Sequence, residues 1–128
     1  MSHSKGVAIL GATGGLGRAV ARRIARRSPV IVGFHAAEAS AAALVDEIRS
    51  DGGKATALQV DQTSETSIIR FLRLSVDAFG GLSSIVTASG PALPLGNLSD
   101  ISEADFRKTY ETDVFGLFRV LKHGTETL

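Results

Sequence analysis

The sequence predicts an α/β fold: a doubly wound parallel sheet of about four strands in the order 3-2-1-4, covered by helices on both faces. Short apolar stretches alternate with longer stretches of helical period, with no linker or low-complexity tract between them. Strands separated by helices of that length imply right-handed crossovers, and hence parallel pairing. The first apolar stretch also runs into glycines and then a helix, as Val7-Ala-Ile-Leu-Gly11-Ala-Thr-Gly14-Gly15-Leu-Gly17-Arg18. That is the strand, turn and helix start of a mononucleotide-binding half.

Residues 6–10 are the first strand. The first helix is predicted from about Gly15 to Arg27. Leu16, Val20 and Ile24 form an i, i+4 row toward the sheet, and Arg18, Arg22 and Arg26 form the opposite row. Pro29 stops this helix, and Val30 to Phe34 is continuously apolar, as a strand buried on both faces is. Residues 37–51 read as a second helix with Ala41, Leu44, Val45 and Ile48 inward, closed by Gly52-Gly53. A third strand from about Ala55 to Val60 ends at Asp61. Thr63 and Ser64 can cap a helix reaching Phe79, with Ile68, Ile69, Leu72, Val76 and Phe79 along its buried side and Gly80-Gly81 at its end. Ser84 to Ala88 is the fourth strand, and a loop with Pro91, Pro94 and Gly96 follows it. Ser102 with Asp105 resembles a capping box. The last helix carries Phe106, Tyr110, Val114, Leu117, Phe118 and Leu121 and fades at His123-Gly124.

Composition bounds the function classes. The 128 residues make one domain, with residues 1–5 expected to be disordered. Hydrophobic content of 44% against 21% charged residues is that of an ordinary globular protein. No apolar run approaches the ~20 residues needed to cross a bilayer. No apolar core follows Met1 to Lys5 to make a signal peptide, so the expected location is cytoplasmic and off the membrane. The absence of cysteine excludes a disulfide framework, a thiolate nucleophile and a cysteine-based zinc site. His3, His35 and His123 are scattered without ligand spacing, so no metal is expected. A net charge of +1 gives no general attraction to nucleic acid. Arg22, Arg23, Arg26 and Arg27 invite a nucleic-acid reading but read more simply as a solvated helix face whose last-turn cations suit the helix dipole, with Arg18 the exception because it lies within a turn of the glycines.

The chemistry-bearing stretch is the glycine turn. Gly11 can adopt backbone angles closed to other residues. A bare backbone at Gly15 admits a pyrophosphate, and Gly17 lets the helix pack against the strand. First-turn amides then face the ligand at the positive end of the helix. The plainer alternative is a turn that only packs strand against helix. No Gly-Lys-Ser/Thr follows to make a Walker A loop. Ser83, Ser84 and Ser89 have neither a nearby histidine nor a G-x-S-x-G elbow.

Four further segments follow in order: Leu58-Gln-Val-Asp61, Phe79-Gly-Gly-Leu82, Thr87-Ala-Ser-Gly90 and Thr112-Asp-Val-Phe-Gly116. With the glycine turn they resemble the N-terminal half of a short-chain dehydrogenase/reductase, a Rossmann-type oxidoreductase family. The resemblance implies hydride transfer between a nicotinamide dinucleotide and a carbonyl or alcohol substrate. It implies a cofactor-binding set of Gly11, Thr13, Gly14, Gly15, Leu16, Gly17, Arg18, His35, Asp61, Ser89 and Gly90. Asp61 stands where the family's aspartate contacts adenine, and it reads equally as a strand-end or helix-capping carboxylate. Gly90 would let the chain pass close to a nicotinamide ribose.

The sequence also departs from the pattern. Leu10 replaces a threonine before the turn, and the two asparagines of the fourth-strand motif are absent. Asp113 occupies the place of the catalytic asparagine, and an ionised aspartate only accepts hydrogen bonds. The family's serine and Tyr-x-x-x-Lys are not found, because the only tyrosine, Tyr110, is followed four residues on by Val114. The 128-residue chain is therefore expected to be a catalytically incomplete portion of an oxidoreductase. Gly33 and Phe34 stand where an acid would favour NAD, while Arg18 and His35 can supply positive charge to a 2′-phosphate. NADP is expected in preference to NAD, although His35 alone reads as an exposed loop histidine. The alternatives are a non-catalytic nucleotide-binding module and a self-associating structural module. Homo-oligomers are expected through an open fourth-strand edge at Ser84 to Ala88, through the apolar face of the last helix, or both.

Overall fold

The structure, a computed structural model, describes residues 4–90 and 96–128. His3, most of the expected disordered N-terminus and the loop around Pro91 and Pro94 lie outside the described residues.

The elements follow the predicted alternation. Strand β1 (Gly6–Leu10) leads to helix α1 (Gly15–Ile24), and β2 (Val30–Phe34) to α2 (Glu38–Ser50). Strand β3 (Ala55–Gln59) leads to α3 (Glu65–Phe79), and β4 (Leu82–Thr87) follows. A short 3₁₀ turn (Leu98–Asp100) precedes α4 (Glu103–Tyr110), a π-helical turn (Glu111–Phe115) and α5 (Gly116–Gly124). The sheet order is β3-β2-β1-β4, as expected, and every pairing is parallel. Val7 to Ile9 register with Val30 to Val32 on one side, and Val7 to Leu10 with Ser84 to Thr87 on the other.

Strand β1 is buried throughout because both its neighbours and both helical layers cover it. One face of the sheet packs Val7, Ile9, Val30 and Val32 against Ala21 of α1 and Leu44, Val45 and Ile48 of α2. The other packs Ala8, Leu10 and Ile31 against Ile68, Phe71 and Leu72 of α3 and Val120 of α5. These are the three layers of a doubly wound fold. Helix α2 buries the four residues its periodicity predicted. Ser64 caps α3 by accepting from the Ser67 amide, and Gly80 ends it in the left-handed conformation at φ 72°. Ser102 caps α4 through the Asp105 amide.

Two inward-facing rows, those of α1 and α3, differ from the periodicity reading. Leu16 is 72% exposed, so α1 turns Gly17 and Ala21 to the sheet, with Val20 and Ile24 at the margin. Gly17 takes that place because α1 packs directly on the preceding turn. The helix also ends at Ile24, where Arg27 N bonds Ile24 O in a tighter turn before Pro29. In α3, Phe71 and Ser75 are buried and Ile69 is marginal. Gly33 of β2 explains the choice, since a Cβ there would stand 3.1 Å from the Phe71 ring. In α5 the buried row is Gly116, Val120 and Gly124, and the large apolar residues face outward. Small residues let this helix lie close: a Cβ on Gly124 would come within 2.7 Å of Ile85 Cδ1. Among the described residues no helix is long and apolar enough to cross a membrane.

Candidate functional site

The site lies at the carboxyl ends of the strands, where the order reverses between β1 and β4, the switch point of such a sheet. Gly11 ends β1 with φ 73°. A Cβ on Gly11 would stand 2.4 Å from Ser89 N and 2.5 Å from Ser89 Cα, so the turn is pressed against the end of β4. On its other side Ala12 N bonds Gly33 O at 3.2 Å, at the end of β2. Gly17 is held as tightly, because its Cβ would fall 2.0 Å from Gly11 O. Gly15 differs, with nothing within 4 Å of the Cβ it lacks.

Gly14 is the N-cap of α1 and offers no side-chain acceptor. Helical bonding starts at Arg18 N to Gly14 O, 2.9 Å, so the amides of Gly15, Leu16 and Gly17 have no intrahelical acceptor. No acidic side chain lies in this first turn to offset the positive end of the helix. The Arg18 guanidinium folds back to the Thr13 carbonyl at 3.5 Å.

Beside the turn opens a cleft of about 1240 Å³ that brings together His35, Asp61, Ser89, Gly90 and Asp113 from the predicted set. The glycine turn and Arg18 do not line this cleft; they meet it through the Gly11–Ser89 contact. Asp61 Oδ1 accepts from Thr63 N at 2.9 Å and from Thr63 Oγ1 at 2.7 Å. Its Oδ2 faces His35 Nε2 at 3.9 Å. The Thr63 hydroxyl, then the Thr63 amide, hold the Asp61 carboxyl below the usual aspartate range against partial burial, with help from His35 and Arg119. Asp61 thus caps the local turn through one oxygen and keeps the other toward the cleft.

Sequence reasoning passed over Gln62, whose side-chain carbonyl accepts from the Ser89 hydroxyl. Phe106 and Tyr110, expected on an apolar helix face, line the cleft, as does Phe115 of the Thr112-to-Gly116 segment. Phe106 and Tyr110 rings pack with centroids 5.1 Å apart. The π-helical turn carrying Thr112 and Asp113 has no signature in apolar spacing, and the only available pointer was the Thr112-Asp-Val-Phe-Gly116 segment itself. No three His, Asp or Glu side chains gather to hold a metal among the described residues.

The family model described as short chain dehydrogenase matches residues 5–128. The chain belongs to the short-chain dehydrogenase family. It is 30% identical over 121 residues to elsinochrome reductase 1 of Elsinoe fawcettii, covering 94% of this chain and 45% of that protein. It is 29% identical over 116 residues to an uncharacterized oxidoreductase of Methylorubrum extorquens, covering 90% and 46%. A dehydrogenase/reductase structure from Sinorhizobium meliloti 1021 superposes with a TM-score of 0.91 at 27% identity, over 99% of this chain and 50% of that one. A Burkholderia cenocepacia dehydrogenase structure with bound NADP shares the fold at 23% identity and a TM-score of 0.88, over 98% and 49%. This short-chain dehydrogenase sequence spans about half the length of the curated relatives it matches.

Proposed function

We propose that these residues are the NADP(H)-holding portion of an oxidoreductase that moves a hydride between the nicotinamide and a carbonyl or alcohol substrate. One observation carries the reading: in a turn where Gly11 and Gly17 are locked against backbone, Gly15 alone is bare and open. Packing explains Gly11 and Gly17, while a Cβ on Gly14 would make only an ordinary 3.5 Å contact with Gly11 O; the open space at Gly15 is left to a ligand that must approach the main chain. The site fits a dinucleotide phosphate, since unbonded amides, an uncompensated helix dipole and the absence of first-turn acids all favour an anion.

In this reading the amides of Gly15, Leu16 and Gly17 hold the pyrophosphate, with Gly11, Thr13 and Gly14 shaping the turn. Asp61, through Oδ2, meets the adenine, and Ser89 and Gly90 border the ribose toward the nicotinamide. Arg18 and His35 supply the charge that favours NADP over NAD, and the NADP-bound Burkholderia relative supports that choice. Bound NADP(H) would supply or accept the hydride. Asp113 contributes an acceptor-only carboxylate to the cleft where the family resemblance places an asparagine. The 128 residues hold no tyrosine followed four positions on by lysine, so their part is to bind and orient rather than to transfer the substrate proton.

Titration with NADPH, followed by its fluorescence, tests the reading. Saturable binding is expected, tighter than for NADH, and Arg18→Ala should weaken NADPH about tenfold while leaving NADH nearly unchanged. No change in fluorescence at millimolar cofactor would overturn it.

A second reading rests on Leu117, Phe118 and Leu121 of α5, which are 39%, 59% and 57% exposed. With the β4 edge they form a surface for self-association.

A further inference from the structure

We infer that Arg119 is a positioning residue of the cleft, fastening the π-helical turn that carries Thr112 and Asp113 to the Gln62 segment beside Asp61. The cofactor part of this inference rests on the NADP(H) reading above.

Arg119 itself does not line the cleft. Its side chain is only 21% exposed and reaches two acceptors on different elements. Nη1 donates to the Gln62 carbonyl at 3.1 Å, and Nη2 donates to Glu111 Oε1 at 2.6 Å. Glu111 opens the π-helical turn, and Gln62 follows Asp61 at the end of the β3 segment. Gln62 passes the link on, because its side-chain carbonyl accepts from Ser89 beyond β4. One guanidinium therefore bridges the π-helical turn and the Gln62 segment directly, and Gln62 extends the link to Ser89.

The need for such a tie is physical. A π-helical turn is a rare, wide turn set between two ordinary helices, and it persists where outside contacts hold it. Gly116 makes the tie possible, since a Cβ there would lie 3.2 Å from Gln62 Cβ and 3.3 Å from Gln62 O. Arginine suits the task because its planar fork serves two acceptors at fixed directions, whereas lysine presents a single ammonium. Its positive charge also lies near enough to Asp61 to help keep that carboxylate ionised.

The test compares wild type with Arg119→Ala, Arg119→Lys and Glu111→Gln by two readouts. The first is amide hydrogen exchange at residues 112–115, which needs no cofactor. The second is the NADPH dissociation constant, with the urea midpoint recorded alongside. Arg119→Ala should speed exchange of the π-helical turn and weaken NADPH, each about tenfold, the scale of one charge-assisted hydrogen bond. Arg119→Lys should fall between, and Arg22→Ala on the opposite face should change neither. If Arg119→Ala does not fold, Glu111→Gln, which preserves shape and removes the charge, should show the same selective loosening. Unchanged exchange at 112–115 in a folded variant overturns the inference, as does a lowered urea midpoint with wild-type NADPH affinity. Wild-type protein that binds no NADPH overturns the parent reading alone, and the exchange measurement still decides the role of Arg119.

Discussion

Replacing Gly17 by alanine separates helix propensity from packing. In an exposed helix this change stabilises by about 1 kcal/mol. Here the new Cβ would lie 2.0 Å from Gly11 O and 2.9 Å from both Ala12 Cα and Gly11 C. These are backbone atoms of a turn already pressed on Ser89, so no side chain can swing away to make room. Forcing the turn open costs about 3 kcal/mol at the upper end of overpacking. The net loss is about 2 kcal/mol, or a melting temperature about 8 °C lower for a domain of this size. Gly15→Ala is the counterpart, with nothing within 4 Å of its Cβ and a φ outside the left-handed region. It should raise stability by about 0.5 kcal/mol through the unfolded chain, and the melting temperature by about 2 °C. Yet it should weaken NADPH more than tenfold, because the methyl group occupies the space left for the phosphate. Thermal unfolding by circular dichroism with parallel NADPH titrations measures both. A Gly17→Ala protein more stable than wild type would refute the packing argument. A Gly15→Ala protein of unchanged affinity would refute the assignment of the open space to the cofactor.

Other outcomes follow from the same geometry. Ser64→Ala removes the acceptor for Ser67 N at the start of α3 and should lower the urea-derived stability by about 1 kcal/mol. The Asp61 carboxyl is held below its ordinary range, so its stabilising contribution is complete above the unfolded aspartate value and is lost as acid protonates the folded form. Stability measured from pH 5 downward should fall below about pH 4, and Asp61→Asn, which keeps an acceptor for Thr63, should flatten that fall. The Glu65 carboxyl, lowered first by its hydrogen bond from His123, adds a loss of the same sign. Phe118→Glu with Leu121→Glu should leave a monomer by light scattering if α5 is the self-association surface, while a wild-type mass that is monomeric at all concentrations removes that reading.

The parallel sheet and its order were legible because continuous apolar strands and glycine-stopped helices carry their own punctuation. The glycine turn was legible for a similar reason, since Gly11 and Gly17 answer local geometric demands. Which side of a helix faces inward was less legible. Periodicity weights large apolar residues, whereas α1 approaches the sheet through Gly17 and Ala21. Close approach is written in small residues, and a reading based on size points the wrong way. The cleft was half legible. His35, Asp61, Ser89, Gly90 and Asp113 converge on it, but Gln62 and Arg119 act through bonds between segments distant in sequence. No spacing rule reports a bond that the fold itself creates.

The contact between Gly11 and Ser89 also bears on the order in which the molecule is assembled. Strand β1 is made before its second neighbour, β4, and the Ser83 bond to Gly6 O closes a separation of 77 residues. Closing so long a loop is entropically unfavourable and slow compared with helix formation. Until β4 docks, nothing presses on the glycine turn from that side, and Gly11 has no surface against which to fold back. A nascent chain thus completes the phosphate cradle only after β4 has been made. Occupancy of the cradle would stabilise the final, most non-local step of folding.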